Sequence, residues 1–249
     1  MRLILLSLLF AVCSYGQDQA VAFDAVQTCA GANPTCSNMT VGTGLFRALV
    51  CIVSTDATSN PSNPPTYAGV SMTLFTSVQH SGNKVRLIVY RLSNPDSGSN
   101  ALAITTGAGV NIAMGCTSYS GVDQATPIAA GSSATGTSTA PSATVFIANS
   151  NQMPIDGMAA SNTPVATVGS GQTQRFQLAN TSNKALAAGS TKTGTGTITM
   201  AWTLDASQDW IEYPIAVKNY IAVSWTKAIW MPGVWLPLFR EQWPWWWRK

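Results

Sequence analysis

The chain has 249 residues, with 13 basic side chains, 10 acidic ones, a single histidine and a formal net charge of +3. Only 9% of its residues are charged and the basic ones form no stripe, which argues against a nucleic-acid-binding face. Polarity comes from Ser, Thr, Asn and Gln, so acid–base and metal chemistry have little to draw on.

Arg2, the apolar run 3–12 and the small residues around Ser14-Tyr15-Gly16 predict a secretory leader over 1–16, cleaved after Gly16. That run is shorter than the ~20 residues a membrane-spanning helix needs. A lipoprotein signal acylated at Cys13 is the competing reading. It fits poorly, because Val12 stands where a small residue is expected. The expected destination is therefore outside the cell or on its surface.

No stretch shows clean helical periodicity. The apolar runs are short, rich in Val, Ile, Thr and aromatics, and bounded by turn residues, which predicts strands over 21–23, 45–54, 71–76, 84–92, 101–105, 110–118, 143–148, 153–162, 173–178, 195–204 and 211–217. In 84–92, Val85, Leu87 and Val89 share one face, while Arg86, Ile88 and Tyr90 share the other. In 195–204, Ile198, Met200, Trp202 and Leu204 point inward and the threonines outward. Residues 60–65 read as a proline-rich connector, 94–100 as a loop and 131–138 as a flexible surface stretch. Gly69 suits a tight hairpin turn with positive φ. The spacing predicts an all-β, antiparallel two-sheet sandwich of jelly-roll or Greek-key type over 17–218. No period of 20–50 residues repeats, which rejects propellers and solenoids.

Removal of the leader leaves four cysteines: Cys29, Cys36, Cys51 and Cys116. An even number in an exported chain permits disulfides. Cys29 and Cys36 flank a turn-rich loop that brings them within reach. Cys51 and Cys116 lie in strand-like runs, as a core bridge or as two buried thiols. Four cysteines allow three pairings, and spacing alone does not choose among them. A zinc site lacks a second closely spaced ligand pair. No metal or cofactor is expected.

Several segments in order are distinctive: Val21-Ala22-Phe23-Asp24, Thr66-Tyr67-Ala68-Gly69-Val70-Ser71-Met72-Thr73, Tyr119-Ser120-Gly121-Val122-Asp123-Gln124-Ala125-Thr126-Pro127, Gly171-Gln172-Thr173-Gln174-Arg175-Phe176, Met200-Ala201-Trp202-Thr203-Leu204 and Asp209-Trp210. This order resembles a group of uncharacterised secreted bacterial, environmental and phage-associated β-sandwich proteins with Y-x-G-V-x-M-T and G-V-D-Q-x-T-P motifs. The resemblance covers about residues 20–218. It implies an extracellular or particle-surface sandwich module and transfers no catalytic residue.

Nucleophilic catalysis would have to use His80, which lies in a polar loop and is expected to be solvated; no G-x-S-x-G elbow accompanies it. Paired carboxylates for glycoside hydrolysis would come from Asp205, Asp209 and Glu212 around Trp210. The expected reading is a turn over 205–209 with Glu212 exposed. Asp123 is expected to accept backbone N–H groups, with a calcium ligand as the alternative. A sugar site would draw on Tyr67, Tyr119, Asp123 and Trp210, although the three aromatics also suit the core.

Seven of the nine tryptophans follow Lys218: Trp225, Trp230, Trp235, Trp243, Trp245, Trp246 and Trp247. Residues 219–249 thus form a Trp-rich tail, and Lys227, Pro232 and Pro237 interrupt any spanning helix. Such a tail suits contact with a second copy of the chain, a cell-surface component or a membrane surface, or it packs on its own domain. The resulting expectation is a non-catalytic, cell-surface or extracellular structural, adhesive or assembly module. A carbohydrate-binding module with weak hydrolase activity is the alternative.

Overall fold

A computed structural model describes residues 17–222 apart from 35, 57–59, 108–109 and 183–184. The leader over 1–16 and the seven tail tryptophans lie outside the described residues. In chain order the strands are β1 (Ala22–Ala32), β2 (Met39–Val41), β3 (Ala48–Thr55), β4 (Thr66–Tyr67), β5 (Val70–Ser71), β6 (Thr73–Gln79), β7 (Arg86–Ser93), β8 (Gly98–Asn100), β9 (Leu102–Ala103) and β10 (Asn111–Ser120). They continue as β11 (Ile128–Ala130), β12 (Ala134–Ser138), β13 (Ser142–Ile147), β14 (Met153–Ser161), β15 (Ala166–Val168), β16 (Gln172–Asn180), β17 (Ala185–Lys192), β18 (Gly196–Leu204) and β19 (Gln208–Val217).

Every pairing is antiparallel. One large sheet runs β1-β10-β3-β7-β6; the other runs β11-β19-β14-β17-β16, with β12 also on β19. Between them lies a core of alternate residues: Val50 and Ile52 from β3, Val85, Leu87 and Val89 at β7, Ile155 and Ala159 from β14, Ile211, Tyr213 and Ile215 from β19. The sandwich reading is therefore correct, and so is the face shared by Val85, Leu87 and Val89.

Each large sheet is also covered on its outer face. Over the first lie β2-β8 and β5-β4-β9, closing an apolar layer around Leu49, Cys51, Tyr67, Ile88, Met114 and Cys116. Over the second lies β13-β18-β15, closing a layer around Met158, Leu186, Trp202 and Trp210, with a smaller one at Val145, Ile147 and Ala216. Strands buried on both faces need apolar or small residues at every position, so their alternation disappears. All eight residues of β3 are buried, as are seven of the eight in β17.

That double covering explains where sequence and structure part. β17, Ala185–Lys192, pairs centrally between β14 and β16 yet is built mostly from Ala, Gly, Ser and Thr, so it carried no strand signal. The stretch 131–138 is not a free loop: β12 pairs with β19 from Ala134↔Glu212 to Ser138↔Gln208. Likewise, the loop at 94–100 contains β8, which pairs with β2. The Gly69 turn is as expected. Ala68 and Gly69 have φ of 50° and 78°, joining β4 to β5 as a two-residue hairpin of the type that needs positive φ at both positions.

Both disulfides form, as Cys29–Cys36 and Cys51–Cys116. The second links directly opposed residues of β3 and β10, with Cα atoms 4.0 Å apart. Two disulfides are compatible with an extracellular protein.

Candidate functional site

The four ligand candidates do not converge. Tyr67 is buried under the first sheet's cover, and its hydroxyl lies 3.0 Å from the Gly98 carbonyl and accepts a hydrogen bond from Asn100. Tyr119 is buried between the two large sheets, edge-on to Phe23 at 6.0 Å. Burial drives its phenol pKa far above the ordinary tyrosine value. Trp210 is buried in the opposite outer layer and donates its indole N–H to Ser138 Oγ at 3.0 Å. The three aromatics thus occupy three separate interiors, and no exposed patch joins them. Asp123 behaves as a turn residue: its Oδ1 accepts the N–H groups of Ala125 and Thr126, each at 2.8 Å.

His80 is corrected from solvated to buried, at 5% exposure. It follows β6, and its Nδ1 accepts the Gly82 N–H at 3.0 Å, with Asp209 Oδ2 at 3.8 Å. The other oxygen of Asp209 accepts from Thr137 Oγ1 at 2.5 Å. Among the described residues no serine hydroxyl bonds His80, and the lone pair a general base would use is held by backbone. The arrangement lays the β6–β7 turn beside Asp209 of β19, which Thr137 of β12 in turn engages.

Glu212 is the second correction. Expected to be exposed, it is 0% exposed. Along β19, Trp210, Glu212 and Ala216 face the outer layer, while Ile211, Tyr213 and Ile215 face the core. Asp209 therefore points to the opposite side from Glu212. Asp205 caps the chain elsewhere, accepting the Val165 N–H at 3.0 Å. The three acids around Trp210 that a hydrolase would have used do not share a face.

Glu212 meets a different acid, Asp156 of β14, itself 2% exposed. In the β14–β19 register Met158 stands opposite Glu212 and Pro214 opposite Asp156, so the two carboxyls are diagonal neighbours on one face. Asp156 is well supplied with donors. Its Oδ1 accepts Ser190 N–H at 2.6 Å and Ser190 Oγ at 2.9 Å; its Oδ2 accepts the Trp202 indole N–H at 2.9 Å. Gln172 Nε2 lies 3.4 Å from Oδ2 and donates to Ser190 Oγ at 2.8 Å. No N–H donates to either oxygen of Glu212.

That asymmetry sets the protonation. Burial and then the charge of Asp156 raise the Glu212 pKa well above the ordinary carboxyl value. Burial raises Asp156 too, opposed by hydrogen bonds from Glu212, Ser190 and Trp202. Glu212 is thus the acid held protonated, beside a carboxyl already surrounded by donors. Two carboxyls with unequal pKa values are the elements of acid–base chemistry. These two are sealed beneath β18, whose Trp202 closes over them. Neither was singled out as a pair in the sequence, because the signal is a register, and a register is set by strand pairing rather than by spacing along the chain. Among the described residues no group of three or more His, Cys, Asp or Glu side chains is placed to hold a metal ion.

No family model, curated protein or solved structure matches this chain.

Proposed function

We propose that the chain is a non-catalytic extracellular or cell-surface module with a structural, adhesive or assembly role. One observation carries the reading: the most perturbed titratable pair, Asp156 and Glu212, lies inside a closed layer instead of a cleft. Covering of both outer sheet faces supports it, since contacts with a partner are then left to the edges and ends of the sandwich. The core disulfide fits a module that must persist outside the cell. Burial of Tyr67, Tyr119 and Trp210 weighs against the sugar-binding alternative, which needs aromatic faces open to solvent.

The test is removal of residues 219–249. Light scattering on a sizing column and cell fractionation should show the full chain as oligomer or surface-attached, and the shortened chain as free monomer with an unchanged β-sheet circular dichroism spectrum. Identical behaviour of the two, or turnover of a glycan substrate by either, would overturn the proposal.

A further inference from the structure

Covering a large sheet moves the wet surface outward, to the cover itself. Over the second sheet that cover is β13-β18-β15, with β18 in the middle. Val145, Ile147, Trp202, Leu204 and Ala166 point down from it into the buried layers. The alternate residues point out. The register sets Phe146 opposite Thr197, Thr144 opposite Thr199, Ser142 opposite Ala201 and Thr167 opposite Thr203. Ser142, Thr167, Thr197, Thr199 and Thr203 are exposed, and Thr144 and Ala201 are half-buried. No charged side chain occurs in 139–148, 165–169 or 193–204, the residues that build this face. Charge stands at its rim. Asp205 accepts the Val165 N–H at one end, and Lys192 donates to the Thr199 carbonyl at 3.0 Å along the open edge of β18. On the same edge Gln172 Oε1 accepts the Ala201 N–H at 2.7 Å.

Two large apolar side chains mark opposite corners of this face. Phe146 is 67% exposed at one end and Val165 is 60% exposed at the other. Apolar side chains exposed elsewhere share no such face. Leu45 and Ile221 lie in loops, Val70 on a two-residue strand, and Val26 and Leu74 on the outermost strands of their sheet. The covers of the first sheet are built from strands of two or three residues and offer nothing comparable. At about 3.4 Å per residue and about 4.8 Å per strand, the face measures roughly 30 Å by 15 Å. Packed on an equal face it buries on the order of 1,000 Å² over both partners, within the range of weak and transient contacts.

We propose that the outer face of β13-β18-β15 packs on the same face of a second copy of the chain, as a two-fold symmetric contact. The proposal rests on the surface-module reading and names its partner. A face whose interior carries no charge does not repel its own copy, and hydroxyls both donate and accept, so they pair with their own kind. Ala201 lies on the middle strand, midway between the Phe146 and Val165 corners. A two-fold axis lying between the two faces, passing over Ala201 and perpendicular to the diagonal joining those corners, sets Phe146 of each copy over Val165 of the other. Ser142, Thr199 and Ala201 then meet between them, where small side chains let the sheets approach. So small an area joins copies only where they are already concentrated, which is the condition of a module gathered on a surface.

Cysteine cross-linking of the full chain tests it, from about 10 µM to about 1 mM, the span of affinities such contacts have. Ala201→Cys sits at the axis, so a short bismaleimide linker should couple it to its own copy, with a yield that rises with concentration. Thr73→Cys, exposed on β6 away from this face, should stay at the collision background. In the Ala201→Cys chain, Phe146→Glu and Val165→Lys should each lower the yield about tenfold, whereas Leu74→Glu should leave it unchanged. Mixing the Phe146→Glu and Val165→Lys chains should restore it, because opposite charges then meet at one corner. Equal yields from Ala201→Cys and Thr73→Cys, or equal loss from Phe146→Glu and Leu74→Glu, overturn the assigned face. Failure of the mixture to recover overturns the two-fold arrangement. A chain that attaches to cells yet never cross-links overturns the second copy as partner and leaves the surface-module reading standing. One that does neither overturns both.

Discussion

The two outer layers of the sandwich are built from the same geometry and hold opposite contents. Over the first large sheet, the layer contains both disulfides, Tyr67, three methionines and aliphatic side chains. Over the second, the corresponding layer contains Asp156, Glu212, Ser190 and the indole of Trp202 beside small apolar residues. Beneath the first cover, two strands of the sheet itself, β3 and β10, are joined by a covalent bond within apolar packing; the second cover is joined to its sheet by a polar network in which Trp202 of β18 donates to Asp156 of β14. The first kind is indifferent to pH and sensitive to reductant. The second is the reverse.

The largest effect comes from removing the covalent bond. Cys51→Ala with Cys116→Ala opens a link spanning 65 residues of chain and should cost about 4 kcal/mol on the loop-closure model. A urea titration against the wild type, with and without reductant, measures it. The reduced wild type should approach the variant. If the two titrations coincide under oxidising conditions, the bond between β3 and β10 adds nothing to the stability of the apolar side.

On the polar side the two acids should respond in opposite directions. Asp156→Ala strands the Ser190 and Trp202 N–H groups in a dry layer and should cost about 3 kcal/mol. Glu212→Gln keeps the side chain's shape, removes its ionisation and places an amide donor beside Asp156. It should raise Tm at pH 8 by about 4 °C, the size of shift that ~1–2 kcal/mol gives in a domain this large. The sign of the pH dependence follows from the raised Glu212 pKa. A carboxyl harder to ionise folded than unfolded contributes fully below its unfolded value of 4.5, and that contribution is lost as pH rises toward the folded value. Wild-type stability should therefore fall from mildly acidic toward alkaline pH, and Glu212→Gln should flatten the slope. A Tm that rises with pH in the wild type would show that Glu212 is ionised in the fold.

How far the sequence foretold these layers depends on what kind of signal each left. Strands with one wet face, such as β18, alternate visibly, and Met200, Trp202 and Leu204 are buried as their spacing requires. The Gly69 hairpin and the Asp123 turn were legible because local backbone chemistry decides them. Tertiary context decides the rest. β17 looks like a loop because both its faces are so tightly covered that small residues fit best; a Cβ on Gly189 would lie 2.4 Å from the Phe176 ring. Glu212 looks solvated because charged residues usually are. Its burial depends on β19 lying between β14 and β12 with a layer above, which no local pattern encodes. His80 sat in a loop as expected, yet that loop folds onto Asp209 from another sheet.

The smallest effect separates backbone from packing within the apolar cover. Gly69 turns β4 into β5 at φ +78°, and a Cβ built there meets nothing within 4 Å. Gly69→Ala therefore tests conformation alone, without a clash or a lost contact, and should cost about 1 kcal/mol. Gly69→Asn, which tolerates the left-handed region, should recover most of it. Asn at this site loses the same backbone freedom of glycine but not the same native geometry, so recovery by Asn identifies positive φ as the cause. A penalty equal for Ala and Asn would mean that any side chain disturbs the hairpin, and that the apolar cover depends on this turn staying bare.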